Sequence, residues 1–210
     1  MGNTRYCLAW QSEAWQPELM PAPTAPANYK DQEKIDAYIV ERKKIQAVKA
    51  VQQPAYGRIT DWAIGKFTDD DSSLIRFGFG PYESGGTPGV LLADAITSLV
   101  GGDAETTLIY GINARVGLRM AAVECLAAGD DNRVPGAFMW SSQICVDPYA
   151  TAVGSMDPPL PLLELIKLIC PGDDTAAAMA ESPDITDQLE TVRTIADKVC
   201  SYSLALDGQG

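Results

Sequence analysis

The sequence predicts an α/β fold in which a mixed β-sheet is flanked by helices. Two strand-like segments follow one another at residues 57–67 and 73–79, and both alternate apolar and polar residues. After them, helical and strand-like segments alternate along the chain. Consecutive strands joined by a short turn pair antiparallel, whereas strands joined through a helix can pair parallel. One sheet that contains both kinds of pairing is therefore expected, with the 4–10 strand at its centre and the 57–67 and 73–79 strands antiparallel beside it.

The first third of the chain predicts one buried strand and one long polar helix. Residues 4–10 form an apolar run that is typical of a buried strand. A proline-rich segment at 17–26 follows and predicts an extended link. Residues 30–52 predict a helix. Its charged residues are typical of a helix face exposed to solvent, and a binding surface is the alternative interpretation. This helix carries the basic residues Lys30, Lys34, Arg42, Lys43, Lys44 and Lys49.

The remaining elements are predicted from apolar periodicity and from turn residues. Asp69-Asp70-Asp71-Ser72 is typical of a hairpin connection between the strands at 57–67 and 73–79, and we expect no metal loop there. Ser182 is expected to cap the last helix, with Pro183 at its first position. The further predicted elements are helices at 90–100, 115–128, 162–169 and 184–206, and strands at 107–112 and 142–146.

The composition excludes several classes of catalytic site. The 210 residues contain no histidine, which excludes Ser-His-Asp and Cys-His catalysis and histidine-ligated zinc or haem. The net charge is −12, and it is spread unevenly. Residues 1–58 hold eight basic and six acidic residues, whereas residues 59–210 hold eight basic and 22 acidic residues. Because phosphate binding needs clustered Lys and Arg, we expect any contact with nucleic acid in the first third.

The five cysteines are far apart in the sequence and form no Cys-x-x-Cys pair. We therefore expect all five thiols to be reduced, as in a cytoplasmic protein. The sequence has no apolar run of about 18 residues, so we expect no membrane-spanning segment. Its first residues are too polar for a signal peptide.

Several strings of the sequence resemble the DEDD-type 3′–5′ exonucleases, which have a ribonuclease H-like fold. The resemblance is to the phage and bacterial type related to the proofreading domain of family B DNA polymerases. It implies a single exonuclease-like domain over 1–210, with the proline-rich link and the basic helix inserted at about 17–53. The strings are at residues 6–14, 56–59 and 109–115, together with Asn28-Tyr29-Lys30-Asp31-Gln32-Glu33-Lys34-Ile35.

The resemblance implies four carboxylates that hold two divalent metal ions about 3.5–4 Å apart. In this sequence the four positions fall on Gln11, Glu13, Leu118 and Lys198, and only Glu13 is a carboxylate. The resemblance therefore implies no catalytic residues and no bound metal. We expect the four side chains to converge at the end of the first strand, where Lys198 would form an ion pair with Glu13.

The string Asp103-Ala104-Glu105-Thr106-Thr107 matches the first motif of these exonucleases by letter. That motif ends a buried strand at the start of the domain. Here the string follows Gly101-Gly102 and precedes a predicted strand. We therefore expect a loop between a helix and a strand, not a catalytic motif.

Three functions are consistent with the sequence. The leading one is a catalytically inactive exonuclease-like protein, phage-derived, that uses the fold to bind a protein partner or a DNA end. The first alternative is an active exonuclease that uses Mg²⁺ or Mn²⁺ with Glu13, Asp147 and Asp197. The second is an acidic structural or inhibitory phage protein. Candidate nucleic-acid contacts are the six basic residues of the 30–52 helix, Asn113 and Arg115.

Overall fold

The structure is a computed structural model that describes residues 5–15, 30–52, 57–67, 75–79, 87–100, 108–128, 145–154 and 160–207. The strands are β1 (Arg5–Glu13), β2 (Arg58–Phe67), β3 (Ile75–Phe79), β4 (Leu108–Tyr110) and β5 (Cys145–Val146). The helices are α1 (Gln32–Gln52), α2 (Pro88–Val100), α3 (Ala114–Ala127), α4 (Pro148–Val153), α5 (Leu162–Ile169), α6 (Asp174–Glu181) and α7 (Ile185–Asp207).

The strands form one five-stranded mixed sheet in the order β3-β2-β1-β4-β5. β1 pairs antiparallel with β2, and the register places Trp10 opposite Trp62. On its other side β1 pairs parallel with β4, which in turn pairs parallel with β5. A register shift between Gln11 and Ser12 marks the end of the regular β1–β2 ladder. The prediction of an α/β fold with a mixed sheet and a central first strand is confirmed.

The two faces of β1 pack against different helices, as the alternation of side chains along a strand requires. Tyr6 and Leu8 belong to a core cluster that also contains residues of α2 and α3, including Leu118. Cys7 and Ala9 belong to a second cluster, which contains residues of α7. The apolar face of α7 supplies Ile185, Leu189, Val192 and Ala196 to this cluster. The sheet is therefore covered by helices on both faces.

A buried carboxylate connects α3 to β2 and α2. Glu124 is 3% exposed, and its Oε1 accepts a hydrogen bond from the N–H of Ile59 at 2.7 Å. Its Oε2 accepts one from the N–H of Gly89 at 3.1 Å. Gly89 is needed here, because a Cβ at this position would overlap the carboxylate. Burial raises the pKa of Glu124, and the hydrogen bonds from Ile59 and Gly89 and the charge of Arg58 oppose that rise.

Several predicted boundaries and pairings need correction. The predicted 73–79 strand is β3, and it pairs with β2, so β2 separates it from β1. Asp184, not Ser182, caps α7, because its Oδ1 accepts a hydrogen bond from the N–H of Thr186 at 2.7 Å. The proline-rich link at 17–26 and the turn at 69–72 lie outside the described residues.

Two short helices, α4 and α6, were not predicted. α4 follows Asp147 and begins at Pro148, whereas α6 follows Asp173, whose side chain accepts a hydrogen bond from the N–H of Ala176 at 2.9 Å. An aspartate before each helix is the capping signal that sequence reasoning missed. Neither helix is long enough to show a clear apolar period.

The buried thiols agree with the sequence. Cys7, Cys125, Cys145 and Cys170 are buried, and none of the four forms a disulfide among the described residues, in agreement with the prediction of reduced thiols. The side chain of Cys200 lies outside the described part of the structure. Among the described helices, none combines the length and the apolar character needed to cross a membrane.

We predict that Glu124→Ala lowers the free energy of unfolding by about 2–5 kcal/mol, because two buried N–H groups lose their acceptor. Urea unfolding followed by circular dichroism should show a lower midpoint with an unchanged slope. The matched control is Glu181→Ala at the exposed end of α6, which should change stability by less than about 0.5 kcal/mol. Equal midpoints for the two variants would contradict the role assigned to Glu124.

Candidate functional site: a basic cleft at the carboxyl edge of the sheet

β1, β4 and β5 run parallel, so their carboxyl ends meet at one edge of the sheet. Open α/β sheets bind ligands beyond this edge. The structure places Gln11 near the end of β1, Asn113 after β4 and Asp147 after β5. The chain continues into α3 directly after Asn113 and into α4 directly after Asp147. The side chains at this edge are therefore held by strand ends and helix starts.

The Asp147 carboxylate joins the ends of β4 and β5. Its Oδ1 accepts hydrogen bonds from the N–H groups of Tyr149 and Ala150, at 3.0 and 3.1 Å, and so caps α4. Its Oδ2 accepts one from the N–H of Asn113 at 3.0 Å. Both oxygens of this carboxylate are therefore occupied by backbone donors.

Asn113 adopts a backbone conformation that few residues other than glycine tolerate. Its φ is 52°, in the left-handed region, where asparagine is one of the more tolerant residue types. It stands at the N-cap of α3 but makes no capping hydrogen bond with its side chain. The carboxylate of Asp147, which accepts a hydrogen bond from the N–H of Asn113, is instead the side-chain acceptor at this positive end of the α3 dipole.

A cleft of about 690 Å³ opens between the start of α3 and the segment that leads from β5 into α4. We call it the basic cleft, because two arginines of α3 line it. The residues that define its chemistry are Asn113, Arg115, Arg119, Cys145, Asp147 and Thr151.

Arg115 and Arg119 lie one helical turn apart on α3, so both side chains project from the same face. Arg115 is exposed and Arg119 is partly buried. The Nε of Arg119 is fully buried and has no hydrogen-bond partner. Within the described ranges, neither arginine has an ion-pair partner. The described lining of the cleft thus holds two cations and one carboxylate, that of Asp147.

Cys145 forms part of the same cleft. It is 8% exposed, and burial raises the pKa of its thiol to about 11, although the positive charge of Arg115 opposes this rise. Since the nucleophile is the thiolate, Cys145 is a poor nucleophile near neutral pH. Its role in the cleft is therefore that of an apolar wall.

Glu13, the one carboxylate kept at a predicted catalytic position, forms an ion pair with Arg58. The prediction that Lys198 pairs with Glu13 is therefore wrong. The reason is the antiparallel pairing of β1 with β2, which places Arg58 directly opposite Glu13. The pair borders a separate cavity of about 620 Å³, which Trp15 and Glu124 also line.

The four predicted catalytic positions do not converge. Gln11 donates from Nε2 to the carbonyl oxygen of Pro183 at 2.7 Å, just before α7 begins. Lys198 lies 13 residues beyond Ile185, the first residue of α7, or roughly 20 Å along the helix axis. Leu118 is completely buried in the core cluster of α2 and α3. The sequence argument placed the middle of α7 beside the end of β1, whereas its start lies there.

The residues present do not fit a two-metal site. In the part of the chain that the structure describes, no three Cys, Asp or Glu side chains are grouped closely enough to hold a metal ion. The carboxylates required by the active-enzyme alternative are each engaged: Glu13 by Arg58, Asp147 by backbone amides, and Asp197 by Arg193 at 3.6 Å. The string at 103–107 lies outside the described residues.

The predicted nucleic-acid contacts divide between two places. Asn113 and Arg115 line the basic cleft. Lys30 precedes α1, Lys34 lies in its first turn and Arg42 in its middle, and all three are exposed. Lys34 forms an ion pair with Asp31 at 3.0 Å. The side chains of Lys43, Lys44 and Lys49 lie outside the described part of the structure. Sequence reasoning missed Arg119, whose signal was its spacing of one helical turn from Arg115.

Comparisons of the chain with protein-family models, curated proteins and solved structures gave no significant match. The chemistry of the basic cleft is therefore inferred from its own residues. The two arginines favour an anion in this cleft, whereas the carboxylate of Asp147 opposes one. The described carboxylates that face this edge lack the grouping needed for metal-dependent hydrolysis.

We predict that the raised pKa of Cys145 makes the folded state less stable in alkaline solution. The unfolded thiol loses its proton near its ordinary pKa of 9.0, whereas the folded one keeps it up to about 11. The stabilisation is therefore present below pH 9 and is lost as the pH rises through 11. Between these values, the free energy of unfolding should fall by about 1.4 kcal/mol per pH unit more steeply in the unmodified protein than in Cys145→Ala. Parallel curves in urea unfolding would contradict this.

Proposed function

We propose that this chain is a catalytically inactive 3′–5′ exonuclease-like protein that binds a DNA end without cutting it. The mixed sheet with β1 at its centre agrees with the ribonuclease H-like fold that the sequence resembles. The resemblance implies four catalytic positions. Gln11 is an amide, Glu13 is paired with Arg58, Leu118 is buried, and Lys198 lies far along α7 from the end of β1. On this proposal, the exonuclease-like fold is retained while the metal ligands are replaced.

One observation carries the proposal: the charged groups at the carboxyl edge are arranged for an anion, not for a metal ion. Glu13 is neutralised by Arg58, and the Asp147 oxygens are held by three backbone amides. Arg115 and Arg119 line the basic cleft, and neither has an ion-pair partner among the described residues. Phosphate groups are the anions that guanidinium groups bind best, because their planar geometry allows two parallel hydrogen bonds.

The acidic body limits how much nucleic acid can be held. With a net charge of −12, the protein repels an extended phosphate backbone over much of its surface. Contact with a few phosphates inside one basic cleft avoids that repulsion. A strand end satisfies this condition better than a long duplex, because most of its phosphates stay outside the protein.

Binding of a protein partner is the second candidate, and one observation favours it. Ile39 and Val40 lie side by side on α1 and are 42% and 54% exposed. Neighbouring exposed apolar side chains are typical of a surface that another protein covers. Unlike the basic cleft, this surface lacks charged groups with a defined geometry, so it does not carry the proposal.

We predict that the protein binds single-stranded DNA but does not shorten it in the presence of Mg²⁺ or Mn²⁺. If the cleft contacts about two phosphates, the logarithm of the affinity should fall with the logarithm of the salt concentration with a slope near −1.4. Arg115→Ala should weaken binding at least several-fold, because one guanidinium contact is lost. Fluorescence anisotropy with an end-labelled oligonucleotide measures both quantities, and gel electrophoresis of the same oligonucleotide measures cleavage.

The control is Lys167→Ala, which removes an exposed positive charge of α5 far along the chain from the cleft and should leave binding unchanged. If the oligonucleotide is shortened in the presence of Mg²⁺ or Mn²⁺, and Glu13→Ala abolishes the shortening, the protein is an active exonuclease instead. The alternative is that binding depends on α1. In that case combined charge reversal at Arg42, Lys43 and Lys44 would abolish it, and Arg115→Ala would have no effect.

A further inference from the structure

A second cavity, separate from the basic cleft, has more negative than positive charge in its described lining. It measures about 620 Å³ and lies between the end of β1, the start of β2, the start of α2 and the end of α3. We propose that this cavity, which we call the acidic cavity, binds a small organic monocation, an ammonium group carried on an apolar body. The inference does not rest on the proposed function, because the two sites share none of their described residues.

An irregularity in β1 brings Glu13 to this cavity. Regular alternation would place Glu13 on the same face of the sheet as Ala9 and Gln11, which is the face covered by α7. The register shift between Gln11 and Ser12 interrupts that alternation. Glu13 therefore lines a cavity together with Glu124, which belongs to α3 on the opposite face.

One oxygen of Glu13 is available to a ligand. Arg58 contacts only Oε1 of this carboxylate, through its Nε and through one Nη. Among the described residues, Oε2 has no hydrogen-bond or ion-pair partner. The side chain of Glu13 is 48% exposed, so a ligand in the acidic cavity can reach it. A carboxylate oxygen with open lone pairs suits an N–H donor, and a charged donor forms the stronger hydrogen bond.

The balance of charge in the described lining favours a single positive charge. The lining holds two carboxylates, Glu13 and Glu124, and one guanidinium group, that of Arg58. Glu124 is buried and acts through its electric field, and its hydrogen bonds from backbone N–H groups favour the ionised form against the effect of burial. The start of α2 and the end of α3 both border the cavity, and their dipoles are opposite in sign and offset each other. A monocation would therefore neutralise the lining, whereas an anion would increase its negative charge.

The walls of the acidic cavity favour an organic cation over a metal ion. Trp15, which is partly buried against α2 and α3, lines the cavity together with Pro88, Ala127 and Ala128. Apolar walls favour an apolar ligand body, and the face of a tryptophan ring attracts a cation. In the described ranges, no third Cys, Asp or Glu side chain joins the two carboxylates to hold a metal ion. The volume of about 620 Å³ lies within the range of about 300–1,000 Å³ that is typical of small-molecule sites.

Three probes of similar size and different charge test the inference. Near neutral pH, phenethylamine is a cation, 2-phenylethanol is its neutral analogue and phenylacetate is an anion. Isothermal titration calorimetry with the whole protein at low salt should show that phenethylamine binds about ten-fold more tightly than 2-phenylethanol, with phenylacetate the weakest. Equal binding of the amine and the alcohol, tighter binding of phenylacetate, or no binding of phenethylamine would overturn the inference.

Two variants with opposite expected effects assign the binding to this cavity. Glu13→Gln removes the negative charge but keeps the shape, and it should weaken the binding of phenethylamine about ten-fold. Arg58→Gln removes the competing cation and should tighten the binding several-fold. The matched control is Glu181→Gln at the exposed end of α6, which should leave the affinity unchanged. Both variants break the same ion pair, so weaker binding in both would show a merely structural role and would overturn the inference.

A further variant separates the acidic cavity from the basic cleft. Arg115→Ala alters the basic cleft alone, so it should leave the binding of phenethylamine unchanged. Loss of phenethylamine binding in Arg115→Ala, with no effect of Glu13→Gln, would place the amine in the basic cleft and overturn the inference. The result for DNA does not affect this test, because it uses only the three small probes.

Discussion

The Asp147 carboxylate is the interaction on which the geometry of the candidate site depends. It accepts hydrogen bonds from the N–H of Asn113 on one side and from Tyr149 and Ala150 on the other. Through the first bond it holds Asn113 in its left-handed conformation, and α3 begins directly afterwards. The direction of α3 in turn places Arg115 and Arg119 in the cleft. The Asp147 carboxylate therefore sets the backbone geometry on which the basic cleft is built.

Apolar packing occupies the region in which the resemblance places metal ligands. Trp10 donates from Nε1 to the carbonyl oxygen of Ile112 at 3.1 Å, and its ring lies against α3 at Gly117. A Cβ at Gly117 would lie 2.8 Å from the ring, so only glycine allows this approach. Leu118 follows in the core beneath it. A carboxylate in place of Leu118 would be a buried charge without a partner, which is costly.

The sequence predicted the sheet well because its strands and α7 carry strong periodic signals, such as the apolar run of β1. Tertiary contacts between distant residues left no such signal. The Glu124 carboxylate accepts a hydrogen bond from the N–H of Ile59, which is 65 residues away in the sequence. The residues next to Glu124 in the sequence do not indicate this contact. The same limit explains the misplacement of Lys198, since the pattern of a helix does not tell which of its ends adjoins a given strand. The importance of Arg119 was hidden for a related reason, because burial of one Nε depends on packing that the sequence does not show.

The central claim is that phosphate binds in the basic cleft through the Arg119 guanidinium group. An NMR spectrum of the protein labelled with ¹⁵N in its arginine side chains observes this group directly, and Arg119→Lys assigns its signal. Titration with inorganic phosphate should shift the Arg119 signal strongly and the Arg115 signal as well, while the signal of Arg193, which is paired with Glu190, stays in place. An Arg119 signal that does not move at saturating phosphate would contradict the account.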